Sequence, residues 1–152
     1  MFDDVAYVAL GSNLGDRAEH LATARTHVEA LDGVRDVRVS SIEETAPLGS
    51  VAQGAFLNQM MAFRTSLMPL DLLDALLEIE RQGGRVRAER WGARTIDLDI
   101  VLFAKTTWND DRLMVPHPQL PYRDFWHREL AELGAPGFTA SSTSQPPSST
   151  PV

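Results

Sequence analysis

Cysteine is absent from the 152 residues. That excludes disulfides and thiolate metal sites and suits a reducing compartment. Lysine is nearly absent too: Lys105 is the only one, and Phe103-Ala104 precede it where a phosphate-binding loop needs glycine. No Gly-x-x-x-x-Gly-Lys-[Ser/Thr] run, no Gly-x-Gly-x-x-Gly and no protein-kinase signature occurs. Any nucleotide phosphates would therefore be held by arginine and metal, not by a glycine cradle. Long apolar runs are also missing. Val5 to Leu10 is too short for a membrane span or signal peptide, and it follows the acidic Met1-Phe2-Asp3-Asp4. The expectation is a cytoplasmic chain with no membrane partner.

What is present is enough for one sizeable core, with 43% hydrophobic residues. The formal charge of −7 argues against a nucleic-acid partner. The charge is unevenly spread. Residues 81–94 hold Arg81, Arg85, Arg87, Arg90 and Arg94 against the single acid Glu89, leaving about −11 on the rest of the chain. A basic strip on an acidic protein fits a small polyanion such as a nucleotide; a solvated charged loop is the alternative.

Val5 to Leu10 reads as a buried first strand, followed by turn chemistry in Gly11-Ser12-Asn13-Leu14-Gly15. Asp16 is placed to cap a helix, with Glu19 as its capping-box partner. Leu21, Ala24, Val28 and Leu31 share one helical face, and Gly33 is expected to stop that helix. Val37 to Thr45 and Phe56 to Thr65 read as strands. Pro69 suits the first turn of a helix carrying Leu70, Leu73, Leu76, Leu77 and Ile79 and ending at Gly83-Gly84. The arginine-rich segment has no apolar period and reads as a long mobile loop, hinged on glycine, that closes over a nucleotide and excludes water. Ile96 to Phe103 is a strand, Pro116 and Pro118 mark a turn, and Pro121 opens a short helix through Phe125, Leu130 and Leu133. Strand, helix, two strands, helix, strand is the split βαβ order. It predicts an α+β, ferredoxin-like fold with helices on a mostly antiparallel sheet. From Thr139 onward, eight of fourteen residues are Ser or Thr and three are Pro. The expected organisation is one domain over 1–135 and a disordered tail over 136–152.

The sharpest chemical feature is Asp97-Leu98-Asp99 within a strand. Side chains two apart share a sheet face, with Cα atoms about 6.6 Å apart. Ile96, Leu98, Ile100 and Leu102 are expected on the opposite, buried face. Paired carboxylates repel unless a cation neutralises them, and at this spacing they can straddle two Mg²⁺ ions for phosphoryl transfer. A polar strand face at a sheet edge, or acids salted to the arginines, are the other readings. Guanidinium forks supply the complementary clamp for a triphosphate. Thr45-Ala46-Pro47-Leu48-Gly49 and Phe56-Leu57-Asn58 suggest a small-molecule pocket. There Asn58 would read a heteroaromatic edge and Phe56 and Phe125 would sandwich its faces. Core packing is the alternative for both phenylalanines. Trp91 suits base stacking or packing, and His117 suits a phosphate contact or a structural turn.

These segments together resemble the 6-hydroxymethyl-7,8-dihydropterin pyrophosphokinase family from about Val5 to Phe125. The resemblance includes Leu10 to Gly15, Thr45-x-Pro47-Leu48-Gly49, Phe56-Leu57-Asn58 and Gly84-Arg85-Val86-Arg87. Its most specific run is Arg90 to Ile100, followed by Val115-Pro116-His117-Pro118. It implies an αβα ferredoxin-like sandwich that transfers the β,γ-diphosphate of ATP to a reduced hydroxymethyl-pterin in folate biosynthesis, releasing AMP. By resemblance, Asp97 and Asp99 hold two Mg²⁺ ions and act in catalysis with Arg85 and Arg94. Thr45, Leu48, Phe56, Asn58, Trp91 and Phe125 line the pterin pocket. Glu80, Arg85, Arg87, Arg94, Ile100, Arg112, His117 and Arg123 contact ATP. A monomer is expected. The chain departs from the family pattern at Ala46 and Ala93, where proline is common. It departs again after Phe125, where Trp126-His127-Arg128-Glu129 is more polar than the usual apolar helix. A catalytically weak pterin- or nucleotide-binding module and a two-metal nucleotidyltransferase are the alternatives.

Overall fold

A computed structural model describes residues 1–46, 55–83 and 95–138. The central strand, β1 (Asp4–Ser12), carries Ala6, Val8 and Leu10 on one face and Tyr7 and Ala9 on the other, all buried. A strand buried on both faces needs cover on both, and the remaining elements supply it. The chain continues through α1 (Arg17–Glu29), β2 (Val34–Val39), β3 (Glu43–Thr45), β4 (Phe56–Thr65), α2 (Pro69–Gln82) and β5 (Asp97–Phe103). It ends with the short hairpin β6 (Trp108–Asn109) and β7 (Met114–Val115), a 3₁₀ turn at Leu120–Tyr122, and α3 (Asp124–Glu132).

The main sheet runs β2-β4-β1-β5, with β3 extending the β2 side of β4, and every adjacent pair is antiparallel. Each long helix joins two strands with one other strand between them, the predicted split arrangement. On one face, Leu21, Ala24 and Val28 of α1 and Leu72, Leu76 and Ile79 of α2 meet Ala6, Val8, Leu10, Leu98 and Ile100. On the other, Trp126, Leu130, Leu133 and Ala135 cover Tyr7, Ala9, Met60, Ala62 and Val101. The α+β, αβα sandwich is confirmed. The polar-looking stretch after Phe125 is amphipathic: Trp126 and Leu130 go inward while His127 and Arg128 stay exposed. No helix among the described residues is long and apolar enough to cross a membrane.

Several local expectations change. Asp16 does cap α1, accepting from the Glu19 backbone N–H at 3.1 Å, but α1 ends at Glu29 with Ala30 as its cap. Gly33 instead takes φ +89° in the turn into β2, a left-handed conformation that glycine adopts without strain. The strand expected over Val37 to Thr45 is two strands. Ser40 interrupts it, because the Met60 N–H donates to the Ser40 hydroxyl at 2.9 Å and so leaves the backbone ladder. In α2 the inward residues include Leu72, which the sequence reading passed over, whereas Leu77 is exposed. Leu102 does not continue the buried face of Leu98 and Ile100. Tyr7 pairs with Leu102 but Val8 with Ile100, so Val101 is an extra residue in a bulge and the alternation reverses there. Residues 136–138, assigned to the tail from sequence, are described, and the Phe138 ring sits edge-on to His127 at 5.3 Å. The expectations for the loop over 84–94 and for the tail from Thr139 lie outside the described residues.

Candidate active site

The sheet register assembles the site. Across three strands, Asn58 of β4, Gly11 of β1 and Asp97 of β5 lie in one row, and Met60, Ala9 and Asp99 form the next. The middle strand supplies the two smallest side chains, so the sheet dips between its flanks. A Cβ on Gly11 would lie 3.3 Å from Asn58 Oδ1 and 3.6 Å from Phe56 Cδ1. Glycine therefore holds the floor of the depression open.

The result is an open cleft of about 470 Å³, counted to its solvent mouth, lined by Thr45, Phe56, Asn58, Asp97, Asp99 and Phe125 among others. It brings together six residues from four separate segments, joining the expected pocket of Thr45, Phe56, Asn58 and Phe125 to the Asp97–Asp99 pair. Asn58 is buried, and its side-chain amide donates to Thr45 Oγ1 at 2.6 Å. That fixes the amide plane and leaves a second N–H and the carbonyl oxygen for a ligand edge. Phe125 forms the opposite wall beside Trp126, with ring centroids 6.2 Å apart. Arg123 also lines this cleft, its guanidinium 4.6 Å from the centre of the Trp126 ring.

Asp99 belongs to a second open cleft as well, which includes Ile100, Arg112, His117 and Pro118. The two depressions therefore meet at Asp99, giving room for two ligands side by side. His117 lies at their junction. Its Nε2 is 3.8 Å from Asp99 Oδ1, its ring stands edge-on to Trp126 at 5.0 Å, and its Nδ1 accepts from the Gln119 N–H at 3.0 Å. Burial, then the nearby Arg123 charge, lowers its pKa. A neutral ring accepting at Nδ1 carries its proton on Nε2, aimed toward the junction. Arg112 donates to Asp74 of α2 at 2.6 Å, an exposed pair that a phosphate could outcompete.

Glu80 lines neither cleft. It is buried on α2, and its carboxylate accepts from the Leu98 N–H at 2.6 Å, anchoring β5 between the two aspartates. Leu48, Arg85, Arg87, Trp91 and Arg94 lie outside the described residues. The sequence reading missed Ala9 and Gly11 as the floor and Trp126 as a wall. Two small residues alternating in an otherwise bulky strand were the available signal for the floor; nothing local distinguished Trp126 from core.

The donor chemistry suits magnesium. Among the described residues no group of three or more His, Cys, Asp or Glu side chains could cage an ion. Asp97 and Asp99 instead offer carboxylate oxygens on a cleft wall, each half-buried. Mg²⁺ is commonly held this way, by one or two carboxylates with water and substrate phosphate completing its shell.

The family model described as 7,8-dihydro-6-hydroxymethylpterin-pyrophosphokinase matches residues 7–135. The 2-amino-4-hydroxy-6-hydroxymethyldihydropteridine pyrophosphokinase of Bacillus subtilis is 44% identical over 131 residues, covering 86% of this chain and 78% of the relative. The protein of the same name from Pseudomonas aeruginosa is 47% identical over 127 residues, covering 84% and 78%. That from Haemophilus influenzae is 42% identical over 130 residues, covering 86% and 81%.

Proposed function

This chain belongs to the 7,8-dihydro-6-hydroxymethylpterin-pyrophosphokinase family, and from that premise we propose how its own residues carry the reaction. The enzyme transfers diphosphate from ATP to 6-hydroxymethyl-7,8-dihydropterin in folate biosynthesis, giving AMP and the pterin diphosphate. The observation that carries the assignment of roles is the meeting of two clefts at Asp99.

The pterin ring occupies the cleft above Gly11. Asn58, oriented by Thr45, reads its amide-like edge, and Phe56 and Phe125 take its faces. ATP lies along the second cleft, against Ile100, Arg112 and His117. The pterin hydroxymethyl oxygen and the β-phosphorus then approach each other over Asp97 and Asp99. This is transfer by positioning and charge stabilisation, with no side-chain nucleophile. Asp97 and Asp99 would hold magnesium, two ions in this reading; bound there, the metal neutralises charge on the phosphate oxygens. His117 donates from Nε2 to a phosphate oxygen, and Arg123 adds positive charge beside the transferred group. Arg112 exchanges Asp74 for phosphate. Glu80 acts by setting the height of β5. Arg85, Arg87, Arg94, Leu48 and Trp91 keep the roles the resemblance implies. The cysteine-free composition supports a cytoplasmic setting.

Phosphorus NMR of the chain mixed with ATP, Mg²⁺ and the reduced pterin tests the reading. AMP and pterin diphosphate should appear in equal amounts. ADP with a pterin monophosphate, free diphosphate, or no turnover by folded protein would refute it.

A further inference from the structure

Glu129 on α3 is 1% exposed and lies on neither cleft. Among the described residues, both of its carboxylate oxygens are buried without a hydrogen-bond donor, and so is Oε1 of Glu43 on β3. Two ionised carboxylates in that arrangement would leave three buried acceptors with no donor, a costly state. One proton relieves most of it: a neutral Glu129 donates from one oxygen to Glu43, and only its uncharged carbonyl oxygen stays without a donor. The other oxygen of Glu43, Oε2, already accepts from Arg128 Nε at 3.0 Å, so Glu43 is placed as the acceptor of the pair.

The location gives the pair a role. Glu43 is two residues from Thr45, on the same strand face, and pairs directly with Asn58 in the β3–β4 ladder. Thr45 and Asn58 are joined by their own 2.6 Å hydrogen bond. A residue that pulls Glu43 onto α3 therefore sets the position of the amide in the cleft. Nearby contacts act in the same direction. Glu132 accepts from Ser41 N and Oγ at 2.9 and 3.0 Å, and Arg38 of β2 donates to the Leu133 carbonyl at 2.8 Å.

We propose that Glu129 and Glu43 share one proton and, as a pair, position the Thr45–Asn58 wall of the substrate pocket. The proposal rests on the reading of that pocket as the pterin site. The charges bearing on Glu129 are Glu43 from β3 and Arg128 and Glu132 from α3 itself. Burial first, then the hydrogen bond and charge of Glu43, push its carboxyl up to about 9 against an ordinary 4.5, with Arg128 opposing. The folded-state value is raised, so the stability this group contributes is full below about 4.5 and is lost as pH rises through about 9. At neutral pH the proton is in place and the wall is set.

Glu129→Gln keeps a donor that cannot ionise, whereas Glu129→Leu removes it and leaves Glu43 without a partner at Oε1. At pH 7 the leucine variant should raise the KM for the reduced pterin about tenfold, one hydrogen bond to a charged group being worth that much. Its kcat and its KM for ATP should stay within about twofold of the parent. The glutamine variant should restore the pterin KM to within about twofold. Without substrate, the melting temperature of the parent should fall more steeply than that of Glu129→Gln between pH 6 and 9. Equal pterin KM values for the two variants would overturn the positioning role. Equal thermal pH slopes for the parent and Glu129→Gln would overturn the shared proton, and that comparison stands even if the leucine variant fails to fold. A folded parent that makes no AMP would refute the pocket assignment and the positioning role together, while the slopes alone still decide the proton.

Discussion

The same face of the same three strands is an open cleft at one end and a sealed core at the other. Toward the β1 C-terminus it presents Asn58, Gly11, Asp97, Ala9 and Asp99. Two residues further back along β1 it presents Tyr7, with Ala62 and Val101, closed over by Trp126, Leu130 and Leu133 of the α3 region. Backbone geometry is shared; side-chain size and polarity differ. Small residues in the middle strand and carboxylates on its flank keep α3 from closing further, since burying two like charges without a cation is costly. Trp126 stands at the boundary, core by its 2% exposure and cleft wall by position. A binding site on a small domain can thus be an unfinished part of its core, left open by particular residues.

Changing the two halves separately should separate chemistry from stability. The largest effect is expected at the carboxylates. Asp97→Asn or Asp99→Asn keeps side-chain size but removes a charge and would weaken the proposed magnesium site, so AMP formation should fall about a thousandfold or more. The fold should survive, because these changes relieve like-charge repulsion on one strand face. Melting temperature measured beside AMP production across a Mg²⁺ titration checks both halves of the claim. A variant that unfolded yet kept its specific activity when folded would make the pair structural.

On the sealed half, Leu130→Ala should do the reverse. Leu130 is fully buried against the sheet, and such truncations cost about 2–5 kcal/mol. Denaturant unfolding should show that loss, with kcat at low temperature little changed. The smallest expected effect is at the floor. Gly11→Ala adds one methyl group 3.3 Å from Asn58 Oδ1, so the amide must shift by a few tenths of an ångström. The pterin KM should rise roughly three- to tenfold, about 0.7–1.4 kcal/mol and near the lower end of the usual cost of overpacking, while the KM for ATP stays constant. Parallel changes in both KM values would show that the two depressions are not independent sites.

The candidate site was legible to an uneven degree. Asp97 and Asp99 could be read because a strand's period of two places them together whatever the fold. Asn58, Phe56 and Thr45 could be grouped through resemblance, and the structure joins them through one strand register. Glu80 was expected to contact ATP; the structure adds that its carboxylate accepts from the Leu98 N–H, a contact of which its sequence position on α2 gave no sign. The bulge at Val101 and the Ser40 interruption were hidden for a common reason. Each depends on the residue opposite in another strand, Tyr7 in one case and Met60 in the other.

By itself the sequence determined the order of elements, the α+β class, the cap at Asp16 and the facing pair of aspartates. These follow from local periodicity and side-chain chemistry, which act within a few residues. Tertiary structure alone decided which small residues become a floor, that Trp126 walls the cleft, that two depressions meet at Asp99, and that Glu129 is buried against Glu43. Those outcomes arise between segments far apart in the chain. They depend on register and burial, which are properties of the packed sheet and not of any one stretch within it.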